Sequence, residues 1–317
     1  MKTDRLFHGY NCYSAVVGEY CRGTEFAGVH DLILSQWSFF FDKKMLLNGQ
    51  WFTGAADGPV DILLQEDLKQ FCSLEVEEHY PGNRVSQCEM ENLLKIKNKV
   101  IILVDFYYLE SVRWEHLERF GIQRLHDPHF IIIESMDKDS IKFLDPYYNF
   151  RGCMDYSILQ KAQSSVTRQG EVGYRYYSVQ YNRNRKINLR EVISYRLKRY
   201  IDEKYYSAIA DLGEELVSNS DFIMGQKDFR WAVDACFCLK STLDQHSNLR
   251  DITYANSITL PSELTDLENE WAIIRKTIFG MFVSHRTSMS DLLDLRNRFQ
   301  GISKMEKAFA CKVIDFL

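Results

Sequence analysis

Hydrophobic and polar positions divide the chain into two halves of different rhythm. Up to about residue 185, short apolar runs alternate with amphipathic segments, and this half holds most of the glycines and four of the five prolines. A short helical segment is expected from near Asn11. Residues 31–41 alternate apolar and polar positions, and Val60–Cys72 (VDILLQEDLKQFC) has the three-to-four spacing of an amphipathic helix, so both are expected to pack on a central sheet. Val100–Phe106 (VIILVDF), Phe130–Glu134 (FIIIE) and Ile141–Leu144 (IKFL) are apolar runs short enough for buried strands. The turn residues Met136-Asp-Lys-Asp139 separate the last two, which predicts an antiparallel hairpin, and Tyr174–Val179 (YRYYSV) predicts one more strand.

From about Asn188 the period changes to that of helices. Leu189–Tyr200, Ser207–Val217, Lys227–Gln245, Pro261–Ser284 and Ser290–Leu317 all carry apolar residues at helical spacing. Pro261-Ser-Glu suits a first helical turn, and Ser288-Met-Ser-Asp offers hydroxyl caps. The expected fold class is therefore α+β: a domain over residues 1–185 built on an antiparallel sheet, followed by a mostly helical domain over 186–317.

Composition narrows the function. A chain of 317 residues, 45% hydrophobic and 26% charged, is globular, and a net charge of −5 without a basic run gives no footprint for nucleic acid or an anionic membrane. The mildly basic stretch Tyr181–Lys186 reads as a solvated linker. The beginning MKTDRLFHGYNCYSAVV lacks the apolar core and cleavage site of a secretory signal, and no apolar run reaches the length of a membrane span, so the cytoplasm is the expected compartment. Eight cysteines are too dilute for a disulfide scaffold, and free thiols are expected. Cys236-Phe-Cys238 has no second ligand pair at metal spacing and reads as core; no phosphate loop, dinucleotide fingerprint or zinc motif is present, so neither a metal nor a cofactor is expected.

One cysteine stands apart. A cysteine attacks as its thiolate, which a helix N-terminus and a neighbouring imidazolium favour. In Gly9-Tyr-Asn-Cys-Tyr-Ser14 the turn residue Gly9 and the cap residue Asn11 put Cys12 at a first helical position. Far downstream, His129 heads the run FIIIE and Asp145 ends the next strand in Leu144-Asp-Pro146. On a hairpin those two strand ends lie side by side, so the carboxylate can orient the imidazole toward a nucleophile. His126 is the rival to His129, separated from the strand by two residues, one a proline.

The order of Cys, His-strand and Asp resembles papain-like cysteine enzymes of the bacteriocin-processing peptidase type. His8-Gly-Tyr-Asn-Cys12, Val104-Asp-Phe-Tyr-Tyr-Leu109 and His129-Phe-Ile-Ile-Ile-Glu with Asp145-Pro146 together resemble the N-terminal domain of the butirosin-biosynthesis acyltransferase family, over roughly residues 5–180. The resemblance implies a papain-like catalytic domain that takes an acyl thioester from an acyl or peptidyl carrier protein, on its phosphopantetheine arm, and passes the acyl group to a small-molecule amine. The amide-forming enzyme of closthioamide assembly is similar. Cys12, His129 and Asp145 would form the triad.

Papain-like peptidases usually carry a glutamine six residues before the nucleophile as an oxyanion donor, and Leu6 occupies that position here. The Cys12 N–H is the first replacement donor, with the side chains of Asn11 or His8 as second donors; Asn11 is equally a plain helix cap. Asp105, Tyr107 and Tyr108 follow a buried strand and are candidates to line an acceptor pocket, although Asp105 equally caps or pairs locally. Three functions compete at this point: acyl transfer to an amine, peptide or amide hydrolysis by the same triad, and a binding module with a relic triad.

Overall fold

The computed structural model describes residues 5–22, 28–43, 53–54, 59–119, 121–181, 186–226 and 230–317. The fold class is α+β, and the chain forms two compact units: residues 1–29 with 65–186, and residues 30–64 with 187–317. Residues 182–185 of the expected linker lie outside the described residues.

The first unit is organised by a six-stranded antiparallel sheet. Its strands are β1 (Leu74–His79), β2 (Val100–Asp105), β3 (Pro128–Asp137), β4 (Ser140–Asp145), β5 (Phe150–Asp155) and β6 (Tyr176–Tyr181), in the spatial order β1-β6-β2-β3-β4-β5. β2 is buried at every position, as its unbroken apolar run requires of a central strand. The expected hairpin is β3–β4, closed through Asp137 opposite Ser140 with Lys138 at φ 51°, and a register shift falls between Ile133 and Ser135. Val100, Ile102, Ile131, Ile133, Ile141 and Phe143 form its core with Met90 and Leu94 of the helix Gln87–Lys97. The helix α1 (Cys12–Tyr20) packs on β3, with the Tyr13 ring set edge-on to Phe130 at 5.2 Å.

The second unit is built from helices at Leu189–Asp202, Tyr205–Ser218, Arg230–Ala255, Glu263–Ser284 and Met289–Phe316, with a shorter one at Ser220–Gly225. Ser288 caps the last of them through a reciprocal capping box with Asp291. Cys236 and Cys238 are buried, and burial pushes the Cys236 thiol up to about 11. At the centre His246 and Glu306 are both buried and 2.7 Å apart (Nε2 to Oε1). His246 Nδ1 donates to the Thr242 carbonyl (2.7 Å) and Trp271 Nε1 donates to Glu306 (2.8 Å).

Residues 31–41 depart from expectation. Instead of lying on the central sheet of the first unit, they give a helix at Val29–Leu34 and a two-residue strand, Phe40–Phe41, paired with Thr53–Gly54, and from His30 onward they belong to the helical unit. The reason is tertiary. Arg196, itself buried, donates to the Leu32 carbonyl and to Ser35 Oγ (2.9 Å), and Ser38 exchanges hydrogen bonds with Gln245 at 3.1 Å each way. A buried guanidinium needs such acceptors, and this segment supplies them. The helix Pro59–Cys72 forms as its spacing predicts, and the division between the units falls within it.

Candidate active site

Asn11 fixes where α1 begins. Its backbone is extended (φ −144°) and its Oδ1 accepts the Ser14 N–H at 2.8 Å, while Ser14 Oγ accepts the N–H groups of Asn11 and Tyr10, each at 3.0 Å. These bonds close a capping box and leave Cys12 at the first helical position, where its own N–H has no carbonyl a turn earlier to bond. Gly9 is obligatory to this turn, because a Cβ there would stand 2.2 Å from Ser14 Oγ. Cys12 is a free, partly exposed thiol.

His129 and Asp145 come from the two strand ends of the hairpin. His129, opposite Val104 in the β2–β3 ladder, is 5% exposed; Asp145, opposite Phe150 in the β4–β5 ladder, is fully buried. His129 Nε2 lies 2.9 Å from Asp145 Oδ2. With Nε2 so held, Nδ1 is the nitrogen left for the thiol, and the Cys12 sulfur is within hydrogen-bonding reach of the ring. Burial opposes a charge on His129, but the field and hydrogen bond of Asp145 outweigh it and the Cys12 sulfur adds to the same side, so the pKa is pushed up to about 10. Carboxylate, imidazole and thiol in this order are the orienter, base and nucleophile that cysteine chemistry requires.

Several groups that sequence alone did not single out hold this pair. Ser111 Oγ donates to Asp145 Oδ2 at 2.6 Å, and the Tyr148 N–H donates to Oδ1 at 3.3 Å. The rings of Tyr148 and Tyr147 pack on His129 with centroids at 5.6 and 6.3 Å. Burial first, then the neighbouring Tyr147, Asp145, Cys12 and Asp127, pushes the Tyr148 phenol far above its ordinary range, so it stays neutral. The Asp-Pro-Tyr-Tyr order after β4 was visible, but no local pattern announces which side of a turn faces the imidazole.

The remaining candidates separate. Asn11 is a buried cap whose Oδ1 is engaged by Ser14. His8 stacks on Tyr147 (5.8 Å, 19° between planes), the ring that also borders His129. Leu6 is buried and its N–H donates to Asn149 Oδ1 at 2.9 Å, which ties the segment before Cys12 to the turn after Asp145. His126 does not compete for the thiol: its Nδ1 pairs with Asp105 Oδ2 at 2.6 Å.

Asp105 caps and pairs locally, the second of its two expected readings. It is fully buried and does not line the cleft: Oδ1 accepts the Tyr107 N–H at 3.0 Å, and Oδ2 takes both His126 and the Ser165 hydroxyl. A carboxylate so engaged has no free face for a cationic amine. Tyr107 and Tyr108 do line a cleft of about 880 Å³ together with Trp114, Arg113 and Arg124. Neither Cys12 nor His129 lines it; Phe106 stands between, its ring 4.8 Å from Trp114 and 6.3 Å from His129.

Among the described residues no group of three or more His, Cys, Asp or Glu side chains is placed to hold a metal ion, and no helix is long and apolar enough to cross a membrane. Compared with known proteins, the chain matches no family model and no curated protein.

Proposed function

We propose that the chain is a papain-like, cysteine-nucleophile acyltransferase that moves an acyl group from a carrier-protein thioester through Cys12 to a small-molecule amine, forming an amide in natural-product assembly. The observation that carries this reading is the convergence of the Cys12 sulfur, the His129 imidazole and the Asp145 carboxylate, with His129 and Asp145 at 2.9 Å and the sulfur within hydrogen-bonding reach of the ring. The carrier-bound donor and the amine rest on the motif resemblance alone. The cytoplasm, where free thiols persist, is the compartment we assign to it.

In the first half-reaction the Cys12 thiolate attacks the thioester carbonyl carbon. The Cys12 N–H, at the head of α1, stabilises the oxyanion, with His8 or the side-chain amide N–H of Asn11, whose Oδ1 is held in the cap, as the second donor. The intermediate collapses by breaking the donor's C–S bond, and His129 gives its proton to the departing thiol. In the second half-reaction the amine attacks the acyl-Cys12 carbonyl while His129 takes an amine proton; the bond to Cys12 then breaks, releasing the amide and restoring the thiolate–imidazolium pair. Asp145 keeps the ring oriented through both steps. A thioester lies above an amide in free energy, so no nucleotide is consumed.

The test supplies an acyl thioester and candidate amines and follows amide and free acid by mass spectrometry. We expect amide from the native protein and none from Cys12→Ala. Amide at an unchanged rate from Cys12→Ala would refute the assignment, and free acid as the sole product would move the protein to the hydrolases.

A further inference from the structure

Residues 126–128, the approach to His129, are held more tightly than a surface connection requires. His126 Nδ1 donates to the buried Asp105 carboxylate (2.6 Å), and Ser165 Oγ donates to the same oxygen. The His126 ring stacks on Tyr107 with centroids 4.2 Å apart and planes 10° from parallel. The His126 carbonyl accepts the Arg168 N–H at 3.1 Å, and the Arg168 guanidinium grips the Asp127 carboxylate with both nitrogen edges, Nε donating to Oδ1 at 2.7 Å. The Asp127 carbonyl accepts the Phe106 N–H at 3.0 Å, and Pro128 lies opposite Asp105 in the ladder. His126 and Asp127 are thus each tied by both side chain and backbone.

We infer that the Asp105–His126 pair and the Asp127–Arg168 pair form a latch that positions the His129 ring against Cys12. A β-strand fixes its side chains by register, but the first residues of a strand fray unless something holds the chain before them. His129 is the second residue of β3, and its imidazole has to stay within hydrogen-bonding reach of a sulfur on a separate helix. The latch supplies that restraint from two directions. His126 pulls the entry toward the end of β2, and Arg168, in the turn between the short strands Val166–Thr167 and Gly170–Glu171, holds the next residue. Asp105 is buried and keeps only the Tyr107 N–H and the Ser165 hydroxyl when the His126 donor is removed, so that removal weakens its satisfaction and frees the chain three positions before the catalytic ring. His126, Asp127 and Arg168 are positioning residues, since they act through His129. This inference rests on the cysteine-nucleophile reading but not on acyl transfer.

Iodoacetamide tests it, because alkylation reports thiolate at Cys12 and requires no acyl donor. The exposed Cys88 and Cys153 serve as internal references, and protection of the buried Cys21 and Cys72 reports an intact fold. In His126→Phe, which keeps a ring beside Tyr107 but has no donor, Cys12 alkylation at pH 7 is expected to slow by about tenfold, since small displacements of a catalytic group are costly in rate. His126→Asn places an amide N–H near the position of Nδ1 and is expected to return the rate to within about twofold of the native protein, as the same positioning argument requires. A native rate in His126→Phe, or equal slowing in both variants, overturns the latch. Should His126→Phe lose protection of Cys21 and Cys72, Arg168→Gln takes its place: slowed Cys12 with protected buried thiols supports the latch, and a native rate overturns it. Loss of acyl transfer with normal Cys12 alkylation would indict the proposed reaction and leave the latch standing.

Discussion

Two buried histidine–carboxylate pairs, one in each unit, show how little such a pair says by itself. His129 with Asp145 and His246 with Glu306 are closely similar in distance, 2.9 and 2.7 Å, and in burial. In both, burial resists the imidazolium and the carboxylate more than compensates, so both pKa values are raised. What differs is the second nitrogen. His246 gives Nδ1 to a backbone carbonyl, and Glu306 also takes the Trp271 N–H and lies near the Tyr200 hydroxyl. That arrangement is closed and joins helices. His129 has, beyond Asp145, a partly exposed thiol at a helix N-terminus within hydrogen-bonding reach of its ring. In the proposed acyltransferase that second nitrogen is what makes a stabilising pair an acid–base pair aimed at a nucleophile.

Exchanging the roles experimentally gives the largest effect. His129→Ala is expected to slow acyl transfer by about a thousandfold, the range for loss of a general acid–base, with a modest change in melting. His246→Ala is expected to cost about 3 kcal/mol of stability by leaving Glu306 uncompensated and to leave the rate per folded molecule near native. Urea titration and single-turnover rates measured side by side would break the comparison if the two variants behaved alike. Asp145→Asn is expected to slow transfer by about a hundredfold while the protein stays folded, since orientation of His129 is weakened but the ring remains.

The pH dependence sharpens the same contrast. Each histidine has its folded pKa above the ordinary value near 6.5, so its contribution to stability is complete below about pH 6.5 and is lost as pH rises through the folded pKa. For His129 that loss extends up to about pH 10. The urea midpoint is therefore expected to fall between pH 7 and pH 10, and to fall less in His129→Gln and in His246→Gln. A steeper fall in either variant than in the native protein would contradict the raised values. The smallest effect is expected at Ser111→Ala, where Asp145 loses one of its donors: about 1 kcal/mol of stability and less than about tenfold in rate.

How far the sequence discloses this molecule follows from which contacts are local. β2, the hairpin and the five long helices are legible because apolar period and turn residues are local signals. The strand Leu74–His79 escapes, since LEVEEH places its glutamates on a partly exposed strand at the sheet edge, and Phe150–Asp155 is the opposite edge with alternate positions open to solvent. Residues 31–41 escape because Arg196 and Gln245, both more than a hundred residues away, bond to Leu32, Ser35 and Ser38 and decide where they go. In the site, Cys12, His129 and Asp145 are legible from a helix start and two strand ends. Ser111 carries no signal in its neighbourhood, and the assignment of Asp105 to His126 depends on the β2–β3 register rather than on spacing.

The most direct measurement is the location of the acyl group. The protein is incubated with excess acyl thioester without amine, quenched in acid and mapped by peptide mass spectrometry. A stoichiometric adduct on the peptide holding Cys12, absent in His129→Ala over the same interval, is the expected result. Acyl groups spread over the exposed Cys88 and Cys153, with Cys12 unmodified, would contradict the account.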